Sequence, residues 1–570
     1  MNRFAGIAAA AAFSLAACGG GGSSSVPSTS KPANTGVGQL AFSIVIPLQT
    51  PASAARRKPA YVSPATQSVS FQVGSSTPQV VTLTLGSATC PLTGGGYTCT
   101  ADANVAAGAN QTLTIKTFAS TDGSGAVLSQ NTIMVTVVAG QTNPVTVSLN
   151  GVAASLALAL TPSSSVTRCT PSAVTVTWSA KDASGDTIVG PGTIVAANGT
   201  PVAPALTASD PVRFTVGAPA GNTWNVAYTG AGGGPSVTLS ATNPGVITGT
   251  AQLTVNPGSL LFALANTGMA VNVYAPPYTG APTAVTNGVN LPAQVLVNSS
   301  CTLFVANYGN GGADTVTAYA PPYTGAPIAT ISTTDARDLA ISATGNLFIM
   351  SATPTSTVTE YAPPYTGSPI ATITLNTAGG PSLSPLNIGL DSAADLFLVS
   401  DINSANFVSM YSPPYTGAAT FITAGTPQRI AVQSGTNDLF VTNDDNPQTA
   451  YAPPYTGGPF ATIQPGANLD SAGLALDAAG DLFVAFSGSG SVVEYAPPYT
   501  GGAAATITGL STPTNVAVDQ ATGNLFVANV SPPSNFGAFV RVTAYAPPYT
   551  AAPFLTLNTV GRDGALAVSP

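Results

Sequence analysis

The heptapeptide Tyr361-Ala362-Pro363-Pro364-Tyr365-Thr366-Gly367 decides the fold of this chain, because it occurs seven times, twice with one residue changed. The copies begin at Tyr274, Tyr319, Tyr361, Tyr411, Tyr451, Tyr495 and Tyr545, so successive copies lie 40 to 50 residues apart. Short alternating apolar segments fill each interval. A repeat of this length that contains several short strands is typical of a β-propeller with one repeat in each blade.

Each repeat divides into four short strands, which we call a, b, c and d. In one typical repeat the predicted strands cover residues 338–341, 347–350, 357–361 and 370–373. Strand b begins with Leu-Phe in all seven repeats. These pairs are Leu261-Phe262, Leu303-Phe304, Leu347-Phe348, Leu396-Phe397, Leu439-Phe440, Leu482-Phe483 and Leu525-Phe526. The sequence therefore predicts seven four-stranded blades.

The two ends of the repeat region predict how the propeller closes. The first repeat begins directly with strand b at residues 259–264, and residues 564–568 form a strand of type a at the end of the sequence. We expect this last strand to complete the first blade, with three strands from one end of the region and one from the other. Such a 3+1 seam pairs two edges that would otherwise be open to aggregation.

The residues of the heptapeptide have a structural and a functional interpretation. Proline cannot donate to a strand ladder, so the Pro-Pro pair ends strand c, and the glycine is expected to supply a positive φ in the turn to strand d. The two tyrosines can bury their rings between blades. The alternative is a sevenfold ring of stacking platforms for a glycan or a partner's repeats. We favour the structural interpretation.

Residues 39–150 and 151–257 have the pattern of two further β domains. In the first range, alternating segments such as residues 68–73 and 80–85 lie between turns of Gly, Asn and Ser, which indicates an antiparallel β-sandwich. The second range has the same style, and its strand pattern and size resemble the immunoglobulin-like modules of bacterial surface proteins. The chain is thus predicted to be all-β, with two β-sandwich (Ig-like) domains before a propeller at residues 258–570.

The strand pattern of the propeller region also resembles a known family. A Leu-Ala-Val-Asp-type strand is followed by Gly-Asn-Leu-Phe-Val-Ala-Asn, as at residues 523–529, and then by a Val-x-x-Tyr strand. This order is similar to that of the NHL-repeat propellers and related bacterial surface propellers. The resemblance implies the fold, whereas members of that group serve as binding scaffolds, lyases or lactone hydrolases.

The N-terminus has the pattern of a lipoprotein signal peptide. Residues 1–18 run from Met1-Asn2-Arg3 through an apolar, Ala-rich segment to Leu15-Ala16-Ala17-Cys18. This ending resembles the bacterial lipobox, which implies that Cys18 is lipidated and that the mature protein is anchored in a membrane. Residues 19–38, rich in Gly and Ser, are predicted to be a flexible linker. Gly19 after the cysteine favours the outer membrane or cell surface as the destination.

The other cysteines are interpreted in the light of this export. Cys90 and Cys99 flank a Gly-rich hairpin turn, and in an oxidising compartment they are expected to form a disulfide. Cys169 and Cys301 fall in different predicted domains. They could be buried single cysteines, which we favour, or an interdomain bridge.

Composition excludes several classes of function. Only 6% of the residues are charged, and residues 258–570 carry a net charge of −12 against +4 for residues 1–257. An acidic propeller repels phosphate backbones, so nucleic acid is not expected as a partner. The sequence contains no histidine. Zinc hydrolysis and Ser-His-Asp catalysis therefore cannot operate here in their usual form.

The charges that do not recur in every repeat are the candidate ligand-binding residues. Most lie in the connections between strand d and the next strand a, around the mouth of the expected central channel. The predicted set is Arg337, Arg429, Arg562, Asp335, Asp338, Asp470 and Asp563. The alternative is that these are ordinary polar loop residues. Asp401, Asp444 and Asp445, in loops of the same face, could bind calcium, but no cofactor is otherwise predicted.

Three hypotheses for function follow. The leading one is a lipid-anchored cell-envelope protein whose propeller binds a glycan or a protein without catalysis. The second is a metal-assisted lactone hydrolase or a lyase of the propeller type, and the third is a purely structural envelope protein. No catalytic residue and no metal ligand is predicted. The only glutamates of the propeller, Glu360 and Glu494, directly precede heptapeptide tyrosines, far from the expected channel.

Overall fold

The structure is a computed structural model, and it describes residues 36–48, 62–189, 193–265, 269–308, 314–353, 355–375, 384–401, 407–444, 447–464, 470–530, 540–560 and 565–569. These residues form an all-β protein, as predicted, and no helix occurs among them. Consequently, the part of the chain that is described has no helix long and apolar enough to cross a membrane. The described residues of 1–153 and 181–202 form one compact unit, and those of 154–180 and 203–570 form another.

The first unit contains two sheets whose apolar faces form one core. Among the described residues, a four-stranded sheet has the order β4-β5-β1-β8 and a six-stranded sheet the order β13-β9-β7-β6-β2-β3. The Phe42 and Phe71 rings, one from each sheet, stack with centroids 3.8 Å apart. Its strands are β1 (Val37–Pro47), β2 (Ser68–Val73), β3 (Gln79–Thr82), β4 (Leu92–Thr93), β5 (Gly96–Ala106), β6 (Gly108–Phe118), β7 (Val127–Val137), β8 (Thr142–Val145), β9 (Asn150–Val152) and β13 (Ile194–Val195).

Two details of the first unit bear on the sequence predictions. Cys90 and Cys99, the pair that the spacing predicts, are joined by a disulfide across the Gly-rich hairpin. Strand β13 pairs with β9 in a parallel register, Ile194 with Gly151. Residues 181–202, which lie within the second predicted domain, are therefore part of the first unit.

The second unit begins with an eight-stranded sheet. The sheet has the order β14-β17-β18-β10-β12-β16-β15, and β11 also pairs with β18. Alternate residues of its strands are buried, as in Thr223–Tyr228, where Trp224, Val226 and Tyr228 face the core. Its strands are β10 (Ser155–Thr161), β11 (Ser165–Thr167), β12 (Ser172–Lys181), β14 (Ala205–Ala208), β15 (Phe214–Val216), β16 (Thr223–Tyr228), β17 (Ser236–Asn243) and β18 (Val246–Asn256).

The remainder of this unit is a seven-bladed propeller, as predicted. In the described part of the chain, each of its seven sheets has four antiparallel strands. Blade 1 contains β19 (Leu261–Leu264), β20 (Val271–Tyr274), β21 (Thr283–Val285) and β46 (Leu566–Val568). Blade 2 contains β22 (Pro292–Val297), β23 (Leu303–Asn307), β24 (Asp314–Tyr319) and β25 (Ala329–Thr333), and blade 3 contains β26 (Ala336–Ile341), β27 (Leu347–Ser351), β28 (Thr357–Tyr361) and β29 (Ala371–Thr374).

The other four blades have the same order of strands. Blade 4 contains β30 (Ser384–Leu390), β31 (Leu396–Asp401), β32 (Phe407–Tyr411) and β33 (Thr420–Thr423), and blade 5 contains β34 (Pro427–Val432), β35 (Leu439–Asn443), β36 (Gln448–Tyr451) and β37 (Ala461–Ile463). Blade 6 contains β38 (Ser471–Leu476), β39 (Leu482–Phe486), β40 (Ser491–Tyr495) and β41 (Ala505–Ile507), and blade 7 contains β42 (Pro513–Val518), β43 (Leu525–Val530), β44 (Val540–Tyr545) and β45 (Leu555–Val560).

The 3+1 seam is confirmed in blade 1. Strand β46 pairs with β19 in an antiparallel register, with Leu261 opposite Val568 and Ala263 opposite Leu566. The seam is extended at its end by Ser569, whose backbone N–H donates to the Leu260 carbonyl and whose hydroxyl accepts the Leu260 N–H, both at 2.9 Å. The innermost strand of blade 1 therefore comes from the end of the sequence, and the edge of β19 is paired.

The second tyrosine of each heptapeptide ties two neighbouring blades together. Its ring meets the Leu-Phe phenylalanine of the preceding blade edge to face, for example Tyr365 on Phe304 at 5.0 Å. The ring of contacts closes where Tyr278 of blade 1 meets Phe526 of blade 7 at 5.2 Å. The hydroxyl donates to the main-chain carbonyl two residues before the Leu-Phe pair of its own blade, as Tyr365 does to Gly345 at 2.8 Å. The same arrangement occurs at Tyr278, Tyr323, Tyr365, Tyr415, Tyr455, Tyr499 and Tyr549.

The predicted role of the heptapeptide glycine is wrong. Each copy has a cis bond between its prolines, and the positive φ that follows belongs to the second tyrosine, at 62° to 67°. Gly367, by contrast, has an ordinary negative φ, and a Cβ added there would meet nothing within 4 Å. This explains why the seventh copy can end with Ala551 instead of glycine. The αL conformation is held by the burial of the tyrosine ring, which offsets its cost.

The preference for two single cysteines at Cys169 and Cys301 is also wrong. A disulfide joins them, and both residues lie in the second unit. The bond links the loop before β12 to the a–b turn of blade 2. A hydrogen bond from Gly232 N–H to the Ser300 carbonyl, at 3.1 Å, adds a second contact between the eight-stranded sheet's loops and that turn.

Candidate functional site at the channel mouth

The innermost strands of the seven blades surround the central channel, and their first residues form its mouth. Six of these strands, β22, β26, β30, β34, β38 and β42, carry a β-bulge near the start, with one extra residue before the regular register begins. The extra residue of blade 3 is Arg337. Bulges redirect side chains and are common beside functional sites. The register here brings one residue of each blade to the same level of the channel.

We call this set the channel ring. The residue of each blade after the bulge occupies the same position relative to strand b, where Gln294 pairs with Ala306 and Arg429 with Thr442. The ring in blade order from blade 2 is Gln294, Asp338, Asn387, Arg429, Gly473, Asn515 and, completed by blade 1, Ala565. The strand sequence repeats, but the ring does not: its seven positions carry six different residue types.

Asp338 is the centre of a hydrogen-bonded belt on this ring. Its carboxylate is buried, with the residue 3% exposed. One oxygen accepts from Gln294 Nε2 at 2.9 Å and from Leu339 N–H at 2.9 Å. The other accepts from Asn387 Nδ2 at 2.6 Å and from Ile388 N–H at 2.9 Å. Four donors from blades 2, 3 and 4 thus saturate the buried carboxylate, as a buried charge requires.

The amide oxygens of the belt are also used. Gln294 Oε1 accepts the Val295 N–H at 3.0 Å, and Asn387 Oδ1 accepts the Ile430 N–H of blade 5 at 2.8 Å. Both amide side chains are therefore fixed at both ends, which also settles which end carries the nitrogen. The belt connects blades 2, 3, 4 and 5 through side chains.

Arg429 continues the belt but keeps free donors. Its Nε donates to the Ala472 carbonyl of blade 6 at 3.4 Å, and one terminal nitrogen donates to the Leu386 carbonyl of blade 4 at 3.0 Å. The side chain is exposed to the channel mouth. Among the described residues it has no carboxylate partner, and its second terminal nitrogen makes no hydrogen bond. A guanidinium has five N–H groups, so most of its donor capacity remains available.

Arg337 has an acidic partner. Its guanidinium binds Asp335 through two hydrogen bonds, at 2.5 and 3.0 Å, and lies 5.8 Å from the centre of the Tyr308 ring. This pairing with Asp335 raises the pKa of Arg337. The Asp335 N–H in turn donates to the Asp314 carboxylate at 2.6 Å. Asp335 therefore orients Arg337, whose side chain remains about half exposed at the mouth.

Asn515 and Thr514 lie on the far side of the mouth, in blade 7. Asn515 Oδ1 accepts the Val516 N–H at 2.9 Å, while its amide nitrogen makes no hydrogen bond to any described residue. Thr514 Oγ1 is buried and lacks a partner within the described part of the chain. Both residues, with Arg337 and every member of the ring except Asp338, line one cavity of about 340 Å³.

The predicted ligand-binding residues are distributed unevenly around this cavity. Arg337 and Arg429 line it, whereas Asp335 and Asp338 are buried and hydrogen-bonded as described above. Asp470 is exposed, and its carbonyl accepts hydrogen bonds from Ser487. Arg562 and Asp563 lie outside the described residues, as does Cys18. Their ligand-binding and lipidation roles stay predictions.

Sequence reasoning missed three members of the site, namely Gln294, Asn387 and Asn515. Asn and Gln side chains are uncharged, and in a chain rich in Asn, Thr and Ser their residue type alone does not mark a functional position. An alignment of the repeats on the Leu-Phe pair, with a one-residue gap for the longer a–b turns of blades 5 and 7, would have placed them in the same column as Asp338 and Arg429. The signal was variation at one position of an otherwise uniform repeat.

The carboxylates and cysteines of the described residues do not form a metal site. These residues contain no group of three or more His, Cys, Asp or Glu side chains that could hold a metal ion. Asp445 of the predicted calcium set lies outside the described residues, so calcium stays a prediction. Glu360 is buried on strand c and accepts from Asn346 Nδ2 at 2.7 Å. Burial, with repulsion from Asp481 and Asp477, raises the pKa of Glu494 on the equivalent strand of blade 6.

Comparison with known proteins shows a likeness in fold alone. No family model and no curated protein matches the sequence. A functionally unknown protein from Desulfotomaculum acetoxidans is 12% identical with a TM-score of 0.43, over 54% of this chain and 98% of its own. The β-propeller domain of Swd1 from Myceliophteria thermophila is 8% identical with a TM-score of 0.39, over 51% and 97%. Virginiamycin B lyase from Staphylococcus aureus is 13% identical with a TM-score of 0.36, over 46% and 83%. At these identities and TM-scores, nothing about ligand or activity is taken from them.

Proposed function

We propose that this chain is a lipid-anchored cell-envelope protein whose propeller, of the NHL-repeat-like type, is a non-catalytic binding module with its site at the channel mouth. The observation that carries the proposal is the channel ring. Residues that hold the blades together recur in every repeat, whereas the ring has different residues in neighbouring blades and lines a cavity of about 340 Å³. That volume suits part of a small ligand or one residue of a polymer.

The chemistry of the mouth favours binding over catalysis. A general acid or base needs a titratable group that can reach the substrate. The sequence has no histidine, and the carboxylate of the ring, Asp338, already accepts four hydrogen bonds. Glu360 lies near the end of strand c, beside the heptapeptide, rather than among the residues that line the mouth.

The anchor is proposed from Leu15-Ala16-Ala17-Cys18, which lies outside the described residues. Acyl chains on Cys18 would contribute about 0.8 kcal/mol for each methylene buried in a membrane, so two or more chains would hold the protein firmly. Residues 19–36, which end directly before strand β1, would then serve as the tether between the membrane and the first β unit.

The anchor is tested by Cys18→Ser in the full-length chain, expressed in a bacterium that processes lipoproteins. We expect the variant to leave the membrane fraction after lysis, while the matched control Ser23→Ala, in the proposed tether, stays with it. A Cys18→Ser protein that remains as firmly membrane-bound as the control contradicts the proposed anchor.

The binding function is tested separately with the soluble Cys18→Ser chain on arrays of glycans and of peptides. We expect retention of at least one class of compound, and loss of that retention when Arg429 is replaced. Absence of binding to every compound, with the protein shown to be folded, contradicts the binding module and favours the structural hypothesis.

A further inference from the structure

We propose that the channel mouth selects an oxyanion, specifically a carboxylate group, and that Arg429 and Asn515 are the residues that contact it. This inference rests on the proposed binding function, because it names the ligand chemistry of the same cavity. It depends on an inventory of the donors and acceptors that the ring leaves unused.

Each side-chain oxygen of the ring already accepts at least one hydrogen bond within the protein. The carboxylate of Asp338 accepts four hydrogen bonds. The side-chain oxygens of Gln294, Asn387 and Asn515 each accept a main-chain N–H, at 3.0, 2.8 and 2.9 Å. The Asp338 carboxylate is therefore saturated, and each amide oxygen of the described ring has at most one lone pair left for a donor from a ligand.

The donors of the ring are only partly consumed. Gln294 and Asn387 each give one amide N–H to Asp338. Arg429 keeps its second terminal nitrogen and one N–H of the first, since its two hydrogen bonds use Nε and a single N–H. The amide nitrogen of Asn515 has both N–H groups without a partner among the described residues. A surface of this kind matches a ligand group that accepts from several donors at once.

A carboxylate has this property, because it accepts at two oxygens and donates nothing when ionised. The planar guanidinium of Arg429 can bind it through two parallel hydrogen bonds. A hydroxyl is a poorer match, because its single uncharged oxygen cannot accept both of these parallel hydrogen bonds as a charge-assisted pair. Gly473 lies between the two contacting residues in blade order, and its lack of a side chain lets the backbone of Asn515 pack closely against it, since an added Cβ would meet the Asn515 Cα at 2.8 Å.

Arg337 is not assigned a contact with the carboxylate in this arrangement. Its charge is paired with Asp335 through two hydrogen bonds, so its attraction for an anion is weakened, although it lines the same cavity. Selection therefore depends on directed donors more than on net charge, since Asp335 and Asp338 offset the two arginines. We expect the affinity for a carboxylate to fall only moderately with added salt, because the donors lie in a confined cavity.

The carboxylate could belong to a sugar acid or to the end of a peptide, and the experiment separates these sources. One arm titrates the soluble Cys18→Ser chain with D-glucuronate and with its neutral analogue D-glucuronamide. The other arm uses N-acetyl-glycyl-glycine and its C-terminal amide. Binding is followed by ligand-observed NMR, which detects weak complexes. We expect at least one carboxylate to bind at least tenfold more tightly than its amide.

Three variants assign the contact. Arg429→Gln and Asn515→Asp should each weaken carboxylate binding at least tenfold, as expected for a lost charge-assisted hydrogen bond. Asn515→Asp keeps the oxygen that accepts Val516 N–H and removes the donors, so the local fold is preserved. Arg541→Gln is the matched control, because Arg541 binds Asn558 at 3.0 Å and does not line the cavity.

The outcomes are distinct from those of the proposed function. The inference is overturned if amides bind as well as acids, if no carboxylate binds, or if Arg429→Gln and Asn515→Asp bind as the control does. A neutral glycan found on the array that binds independently of Arg429 would overturn it and yet leave a binding module. If Arg429→Gln is unfolded by circular dichroism, Asn515→Asp and Arg429→Lys decide the result, and Arg429→Lys should retain part of the affinity.

Discussion

Substitution of Tyr365 tests whether the second heptapeptide tyrosine holds neighbouring blades together. Its ring is 6% exposed and lies edge to face on Phe304 of blade 2, 5.0 Å away, and its hydroxyl donates to the Gly345 carbonyl at 2.8 Å. Tyr365→Phe removes only the hydrogen bond, which contributes about 1 kcal/mol because water can partly satisfy the half-buried turn. Tyr365→Ala also removes the ring and should cost about 3–5 kcal/mol.

The design isolates the ring from the backbone. Tyr365 has a φ of 67°, and alanine keeps a Cβ, so the strain of the αL conformation is similar in both proteins. The assay is urea unfolding, with comparison of midpoints at a constant m value. Tyr361→Phe is the control, because its buried ring lies in the same blade and its hydroxyl makes no hydrogen bond to a described residue. We expect a change within about 0.5 kcal/mol for the control. Equal effects of Tyr365→Phe and Tyr361→Phe, together with a loss below about 1.5 kcal/mol for Tyr365→Ala, would refute the reasoning.

Three other predictions follow from the same packing. Removal of residues 565–570 deletes β46 and leaves the edge of β19 unpaired. Burial of Leu566 alone contributes about 1.5–3 kcal/mol, so we expect a lower melting temperature, or aggregation detected by light scattering. An unchanged melting curve contradicts the seam. The disulfide joins residues 132 positions apart, so replacing Cys169 and Cys301 with serine should lower the free energy of unfolding by up to about 5 kcal/mol, as measured in urea. Equal urea midpoints for the wild type with and without reductant contradict a structural role for this disulfide. Burial raises the pKa of all seven second tyrosines, that of Tyr499 to about 12, while unfolded tyrosine ionises near pH 10. Stability should therefore hold below about pH 10 and fall above it by up to about 1.4 kcal/mol per pH unit for each tyrosine. The chain has eighteen tyrosines, so phenolate absorbance showing that more than the other eleven ionise near pH 10 in still-folded protein would be incompatible with this burial.

The propeller could be predicted because every blade packs its strands with the same residues at the same positions of the repeat. The Leu-Phe pair and the heptapeptide mark strand b and the end of strand c in every repeat, so strands could be counted without knowledge of long-range contacts. The seam followed from that count alone. Here the local pattern and the tertiary fold agree, which is the condition under which sequence patterns are most informative.

Features that depend on a single tertiary contact could not be predicted in this way. The bond between Cys169 and Cys301 depends on where the loop before β12 meets blade 2, which no local pattern encodes. The positive φ of Tyr365 was assigned to Gly367 because glycine adopts that conformation at least cost. In the structure the positive φ lies at the tyrosine, because burial of its ring against Phe304 offsets the cost of that backbone conformation.

The position of Asp338 shows why charge alone is a poor guide to the site. An acid at a channel mouth suggests a ligand contact, and its sequence position therefore predicts that Asp338 binds a ligand. In the structure Asp338 is 3% exposed, and its carboxylate accepts hydrogen bonds from Gln294, Leu339, Asn387 and Ile388. By accepting one N–H from each amide of blades 2 and 4, it fixes those side chains, so the Arg429 guanidinium of blade 5 and the Asn515 amide of blade 7 keep the largest share of unused donors. A residue that binds nothing outside the protein would thereby decide which part of the ring is open to a ligand.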